Sequence, residues 1–112
     1  MVRFKPMIDL QQVNNSLKKK FKDRKLIFGS CDATAKIVFV CEMPGDDEER
    51  EGKPLAGHRE KLLNQLLKNL GVNRKKVYIT NVVKYVPRGK IPASKEIKSY
   101  VPFLKEELKT IN

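Results

Sequence analysis

Glu42 and Asn81 are polar residues at apolar segments of this sequence, and their side chains are of types that could act together in one chemical site. Glu42 ends the apolar segment 36–42, and Asn81 lies in a second apolar segment, 77–83. A carboxylate can orient a water molecule or stabilise a developing positive charge. A primary amide offers both donor and acceptor groups, which suits the edge of a pyrimidine base. The two residues are therefore candidates for one polar site.

The elements around these residues predict that both reach the same edge of a sheet. Segments 36–42 and 77–83 lack apolar-polar alternation, which is typical of strands buried on both faces. Helical sequence lies between them, so the unit should close as a right-handed parallel crossover. Open α/β sheets bind ligands at the carboxyl ends of their strands. We therefore expect Glu42 and Asn81 to share a crevice.

Apolar residues at helical spacing predict three helices. The first covers residues 8–21, and the second covers residues 59–70 with Gly71 as its C-terminal cap. The third begins at Ser94 as a capping residue, and Pro102 is expected to kink or restart it.

Together these strands and helices predict a small α/β fold with a short parallel sheet, in one domain over residues 1–112. A further short strand is expected over residues 26–28. The acidic run 46–51 lacks the spaced ligands of a calcium loop and is expected to be a solvated loop. No metal site is predicted.

Composition favours a polyanionic partner. The 112 residues include 24 Lys and Arg against 13 Asp and Glu, a formal charge of +11, which attracts phosphates. The alternative is a Lys-rich surface of the thermophile kind, although such surfaces usually carry more balancing Glu. No apolar run approaches the roughly 20 residues of a membrane span, and the N-terminus lacks a secretory signal. We expect a cytoplasmic protein that binds nucleic acid and no membrane.

The segments around Glu42 and Asn81 closely resemble the uracil-DNA glycosylase superfamily, in particular its iron–sulfur, family 4 branch. The first motif of that family matches residues 41–57, and the likeness continues through residues 59–70, 80–84 and 102–104. The resemblance implies a three-layer α/β/α sandwich that corresponds to the N-terminal half of the family fold.

The resemblance also implies roles for individual residues. Asn81 matches the position that reads the flipped-out uracil, and Glu42 matches the glutamate of the first motif and is the candidate catalytic carboxylate. Leu55 stands where the family stacks a phenylalanine on the base, and Met43 follows Glu42 in the base-binding motif. The alternatives are a capping asparagine for Asn81 and a leucine buried under the loop for Leu55.

Basic residues near the motif are candidates for contacts with DNA phosphates. Lys84, Arg88 and Lys90 lie in a loop that follows Asn81, and Arg59 starts the second helix. The alternative is a solvated surface loop. His58, the only histidine, is interpreted as structural.

The cysteines depart from the resembling family. Only Cys31 and Cys41 are present, too few for a disulfide framework or for the four ligands of a zinc or iron–sulfur site. Tyr85 and Tyr100 stand where two cluster cysteines are expected, and the other pair, near residues 14–17, is absent. We therefore expect no iron–sulfur cluster and no other cofactor, with tyrosine packing in its place.

The resemblance covers about half of the family architecture, so two kinds of function stay open. The chain could hydrolyse the N-glycosidic bond of uracil in base excision repair if a complementing chain or a homo-oligomer completes the fold. It could instead be a non-catalytic DNA-binding or structural subunit. In either case strand 36–42 should present an unpaired apolar edge that self-association or a second polypeptide covers.

Overall fold

A computed structural model describes residues 9–31, 34–87 and 91–111 of the chain. The elements follow one another as α1 (Leu10–Lys20), β1 (Ser30–Cys31), β2 (Ile37–Cys41), α2 (Asp46–Glu51), α3 (Gly57–Leu70), a 3-10 turn (Arg74–Lys76), β3 (Val77–Asn81) and α4 (Ser94–Thr110).

The three strands form one sheet in the order β1-β3-β2. β2 runs parallel to β3, with Ile37 beside Val77 at one end and Cys41 beside Asn81 at the other. The expected parallel pair is thereby confirmed. β1 is antiparallel to β3 and covers residues 30–31, so the strand expected at residues 26–28 was wrong. That segment contacts the loop after β3 instead, where Ile27 N–H donates to the Lys84 carbonyl (2.6 Å).

Side chains of β3 alternate between two faces of the sheet, which gives three layers. Val77 and Ile79 pack with Leu67 of α3 on one face. Tyr78 packs with Ile111, just after α4, on the other. Because successive residues of a strand point to opposite faces, an apolar strand can pack against a layer of helix on each face of the sheet. The expected three-layer α/β/α arrangement is confirmed.

The helices begin and end close to the expected positions. Asp9 caps α1 in a reciprocal pair with Gln12, in which Gln12 N–H donates to Asp9 Oδ1 (2.8 Å). Gly71 ends α3 with φ 72°, as expected. α4 passes through Pro102 without a break, so Pro102 does not restart the helix, and the expected kink stays a prediction. Pro102 lies on an exposed position, where water can satisfy the carbonyl that proline leaves unpaired.

Two further predictions need correction. The cap of α4 is Ala93 and makes no side-chain hydrogen bond, so Ser94 is the first helical residue and not the cap. The acidic run is the helix α2 and not a loop. Its Glu48 is 1% exposed because its carboxylate pairs with Arg59 Nη1 at 2.7 Å.

β2 and β3 differ in burial. Every residue of β3 is buried, as expected for a central strand. β2 was expected to be buried on both faces, but Ile37 is 42% and Val40 45% exposed. The reason is its place at the edge of the described strands, where no neighbour covers its outer side.

Candidate functional site

The carboxyl ends of β2 and β3 bring Glu42 and Asn81 to one edge of the sheet. Cys41 and Asn81 are partners in the parallel ladder. The backbones stay together past the strands, because Val83 N–H donates to the Glu42 carbonyl (2.9 Å). The Glu42 residue is exposed, whereas Asn81 is fully buried. An exposed glutamate and a buried asparagine therefore lie at neighbouring strand ends, at the edge where α/β sheets bind ligands.

The side chain of Asn81 is only half satisfied. Its Nδ2 donates to the Pro54 carbonyl at 3.0 Å, and its Oδ1 has no hydrogen-bond partner among the described residues. A buried acceptor without a donor costs roughly 1–3 kcal/mol, so such atoms are rare unless they have another role. The arrangement leaves one buried acceptor without a donor among the described residues.

Leu55 and Arg59 line one cavity of about 550 Å³ next to β2. Its other walls include Phe39 and Cys41 of β2 and Leu62 and Leu66 of α3. Leu55 is 6% exposed and packs with the core on the α3 face, which agrees with the alternative of a buried leucine. The cavity is mainly apolar, and the Arg59 guanidinium is its charged group.

Gly57 allows the amino end of α3 to approach α2 closely. Its φ is 63°, a left-handed conformation, and a Cβ atom there would collide with the Asp47 carboxylate. Only glycine fits both conditions without strain. This close approach places Arg59, in the first turn of α3, within reach of Glu48 in α2.

Lys84 was expected to contact DNA phosphates, and the structure places it in the interior instead. Its side chain is 1% exposed, and Nζ lies 2.6 Å from Glu107 Oε1. Nζ also donates to Thr80 Oγ1 and to the Asn81 carbonyl, each at 2.5 Å. A buried carboxylate needs a counter-charge, and Lys84 supplies it. An ammonium group engaged in this way is not presented to a phosphate.

Glu107 is the centre of a buried polar network that consists of Tyr78, Thr80, Lys84 and Glu107. The second carboxylate oxygen of Glu107 accepts from Tyr78 Oη (2.6 Å) and Thr80 Oγ1 (2.7 Å). Burial lowers the pKa of Lys84, while the Glu107 carboxylate opposes that shift. Burial, and then Glu107, raise the pKa of Tyr78 well above its usual range. The network ties α4 to the strand that carries Asn81.

Sequence reasoning missed Glu107, although a signal was present. Tyr100 and Glu107 of α4 and Ile111, the residue after it, follow one another at helical spacing, and all three are buried. A carboxylate on an otherwise apolar stripe indicates a buried partner of opposite charge. Lys84, after an apolar strand, was the available candidate. No comparable signal distinguished Glu48 from its acidic neighbours.

Met43 does not join Leu55 in the cavity. Its side chain is partly buried and packs against the core on the opposite side of the sheet, which contains Tyr85 and Tyr100. The carboxyl ends of β2 and β3 thus have four of the expected site residues around them: Glu42, Asn81, Leu55 and Arg59. Met43 packs against the core instead, and Lys84 is held in the buried polar network. Arg88 and Lys90 lie outside the described residues.

Tyr85 and Tyr100 stand where the resembling family has cluster cysteines, and they lie close together in space. They belong to an aromatic cluster, defined by Phe21, Tyr85, Tyr100 and Phe103. The rings of Phe21 and Tyr100 stack with centroids 4.2 Å apart, and Tyr85 lies 6.0 Å from Tyr100. Leu17 of α1 is fully buried in the same core.

These residues do not fit an iron–sulfur cluster. Iron–sulfur clusters are held by thiolates, and burial raises the pKa of Tyr100, which disfavours a phenolate in their place. Stacked rings also fill the space between α1 and α4. Across residues 9–31, 34–87 and 91–111, no group of three or more His, Cys, Asp or Glu side chains could hold a metal ion. Within the same ranges, no helix is long and apolar enough to cross a membrane.

Known proteins are similar to this chain in sequence. The model of the uracil DNA glycosylase superfamily matches residues 28–112. The chain is similar to the type-4 uracil-DNA glycosylase of Sulfurisphaera tokodaii, with 43% identity over 79 residues, 69% of this chain and 36% of that protein. It is 41% identical to the enzyme of the same name from Archaeoglobus fulgidus over 69% of this chain and 39% of the relative.

A third relative, the type-4 uracil-DNA glycosylase of Saccharolobus solfataricus, is 38% identical over 83% of this chain and 44% of its own length. The chain therefore spans less than half the length of these relatives. The family match nevertheless includes β2, β3 and α4, the elements that carry Glu42, Asn81 and Glu107. A match over this much of the sequence shows that the chain belongs to the uracil DNA glycosylase superfamily.

Proposed function

We propose that this chain binds DNA and reads an extruded uracil with Asn81, as a uracil-DNA glycosylase-like protein of base excision repair. The observation that carries the proposal is the buried Asn81 amide, whose Oδ1 lacks a partner among the described residues. Uracil presents an N–H group beside two carbonyl oxygens, so it can donate to an amide oxygen. The formal charge of +11 favours a DNA phosphate backbone as the wider contact.

The other residues at this edge take roles that follow from their placement. Glu42 is the candidate catalytic carboxylate, because an exposed carboxylate at the strand ends can orient water or stabilise cationic character on the sugar. Leu55 offers apolar contact to a base but no π-face. Since base-aromatic stacking is worth roughly 1–3 kcal/mol, we expect weaker base binding than with an aromatic residue.

Hydrolysis is proposed to need the remainder of the family fold. β2 is an edge among the described strands, and the cavity beside it is lined by exposed Leu62 and Leu66. We call the outer edge of β2 and this cavity the open side. An unpaired strand next to an apolar cavity fits a further strand and its side chains. The proposed occupant is a complementing polypeptide equivalent to the part of the relatives that this chain does not cover.

Base recognition is tested with labelled oligonucleotides that differ at one position, uracil against cytosine, because cytosine lacks the N–H group that uracil would donate to Asn81 Oδ1. We expect tighter binding to the uracil strand, and Asn81→Ala should abolish the preference while leaving affinity for the cytosine strand unchanged. Asn64→Ala, on an exposed position of α3, is the matched control. Equal binding of both strands by the wild-type chain would refute the proposal.

Complementation is tested by sedimentation and by a base-release assay. The chain alone should sediment as a monomer with little release of uracil. Addition of a polypeptide equivalent to the uncovered part of a relative should produce a complex and restore release. A stable homodimer of the chain would show instead that a second copy covers the open side.

A second candidate is a non-catalytic DNA-binding subunit. The Leu55 side chain, buried where the family stacks an aromatic ring on the base, favours it. In that case DNA binding would be salt-sensitive and indifferent to uracil, with no base release in any mixture. The protein is proposed to work without a cofactor and in the cytoplasm, and iron analysis of the purified chain tests the first of these points.

A further inference from the structure

The segment 18–25 concentrates positive charge at the end of α1 and beyond it. Six of its eight residues are cations: Lys18, Lys19, Lys20, Lys22, Arg24 and Lys25. All six are exposed, and Asp23 is the only acid of the segment. We call residues 18–25 the basic segment. Such a density of charge attracts phosphate oxygens over several ångströms.

Aromatic rings hold three of these cations in place. Lys18 Nζ lies 5.5 Å from the centre of the Phe28 ring, and Lys20 Nζ lies 5.3 Å from that of Phe103. The Arg24 guanidinium lies 4.8 Å from the centre of the Tyr85 ring. These distances are within the range of cation–π attraction, which restrains a side chain without neutralising its charge. The cations are therefore ordered and still able to bind an anion.

The surface between these cations is concave. A cavity of about 350 Å³ is lined by Lys20, Lys22 and Arg24, together with Phe21 and Asp23. A concave site with three cations around it suits a phosphate group better than a flat face, because several cations can approach one anion.

The basic segment borders both loops that emerge from the carboxyl edge of the sheet. On the β2 side, Lys25 Nζ donates to the Glu49 carbonyl of α2 at 2.7 Å. On the β3 side, Arg24 contacts the Tyr85 ring, and Ile27 N–H donates to the Lys84 carbonyl. The segment thus lies next to the edge at which Asn81 is found.

We propose that the basic segment is a binding surface for the DNA phosphate backbone, and that it holds the strand that flanks the base read at Asn81. This inference rests on the proposed function for the position of the base. It assigns phosphate binding to residues other than Lys84, Arg88, Lys90 and Arg59. Lys84, which is buried, leaves this task to cations that precede it in the sequence.

The test compares two triple variants with the same change of charge. The first is Lys19→Gln, Lys20→Gln and Lys22→Gln in the basic segment. The second is Lys36→Gln, Lys75→Gln and Lys76→Gln, exposed lysines at the opposite, amino edge of the strands. Glutamine preserves helix propensity and length, so both variants should fold.

Affinity for a uracil-free oligonucleotide is measured by fluorescence anisotropy at several salt concentrations. The first variant should bind roughly tenfold or more weakly at about 0.1 M salt, with a salt slope reduced by up to about three, one for each lost phosphate contact. The control variant should bind within about twofold of wild type, since its lysines lie at the opposite end of the strands from the proposed contact and salt screens exposed charges.

Equal losses in the two variants would overturn the inference, because they would show an effect of net charge alone. Unchanged binding by the first variant, or its loss of binding to anionic vesicles and not to DNA, would also overturn it. A difference between the variants on DNA that lacks uracil, together with no preference for uracil in the wild type, would support this surface and refute base recognition by Asn81.

Discussion

The two sides of β3 differ in how far residues of this chain bury them. Toward α4, the buried polar network joins Lys84 and Glu107 across 2.6 Å, and each side chain is 1% exposed. Toward β2 and α3, the neighbouring cavity is mainly apolar and open, and Leu66 on its wall is 50% exposed. The first side is closed by this chain's own residues. The second side is lined by apolar residues like those of a core, but these residues are exposed.

This difference separates two functions of the sheet. The network fixes the backbone of Asn81, because Lys84 Nζ bonds directly to the Asn81 carbonyl. The position of Asn81 is therefore set by α4 within this chain. The open side has no such fixed partner among the described residues, and it is where association with another polypeptide would add most burial.

The largest effect is expected for Lys84→Met. Removal of one member of a buried ion pair leaves the other charge uncompensated, which costs about 3–5 kcal/mol in the free energy of unfolding. The double variant Lys84→Met with Glu107→Leu should recover part of that loss, because it leaves no buried charge. Chemical denaturation measures both, and a loss below about 1 kcal/mol for Lys84→Met would contradict a closed, desolvated network.

Leu67→Ala and Leu66→Ala compare adjacent leucines of α3. Leu67 is 2% exposed and packs on β3, so truncation should cost about 2–5 kcal/mol through lost burial and a cavity. Leu66 is on the open side, and its truncation should change stability by about 0.5 kcal/mol or less. Thermal or urea unfolding distinguishes them, and similar losses would mean that the open side is covered in solution.

Tyr78→Phe and Tyr100→Phe compare two buried phenols. Tyr78 Oη donates to the Glu107 carboxylate, so its removal should cost about 1.5–3 kcal/mol, the value of a hydrogen bond to a charged group. Tyr100 Oη is buried without a partner among the described residues, so its removal should be neutral or stabilising. A larger loss for Tyr100→Phe would reveal a partner for that hydroxyl.

The same variant gives a pH dependence with a definite sign. Burial raises the pKa of Tyr78 in the folded chain, whereas an unfolded tyrosine loses its proton near pH 10. The contribution of Tyr78 is therefore constant below about pH 10 and falls as pH rises further, because the unfolded state then binds fewer protons. The stability difference between wild type and Tyr78→Phe should shrink between about pH 9 and pH 11. A difference that stays constant over this range would contradict the shift.

Leu66→Glu should have the smallest effect on stability and a large effect on association. As an exposed substitution, it should change the free energy of unfolding by about 0.5 kcal/mol or less. A charge on the cavity wall should nevertheless weaken binding of the complementing polypeptide, because the carboxylate would be desolvated in the complex. Leu70→Glu, which is also exposed but does not line the cavity, is the control. Equal binding of the partner by both variants would place the interface elsewhere.

Much of the fold followed from local pattern. Apolar spacing located α1, α3 and α4, Gly71 ended α3, and the two apolar runs formed a parallel pair. The carboxyl edge with Glu42 and Asn81 followed from the same pattern, because parallel strands joined by a helix end together. The resemblance to a glycosylase rested on the residues themselves and needed no coordinates.

Other features depended on contacts between residues far apart in sequence. Lys84 and Glu107 are 23 positions apart, and Glu48 and Arg59 are 11 apart, so no local period indicated which charges pair with each other. The exposure of β2 arose in the same way, because an apolar strand is central or at an edge according to its neighbours and not its own composition.

The sequence by itself determined the three long helices, the parallel pair of strands, the family, and the edge at which polar residues collect. Only the tertiary structure decided which charges are buried in pairs and which stay exposed to a partner. The physical reason is that hydrophobic period and turn residues act over a few positions, whereas the burial of a charge depends on the distance to its counter-charge in space.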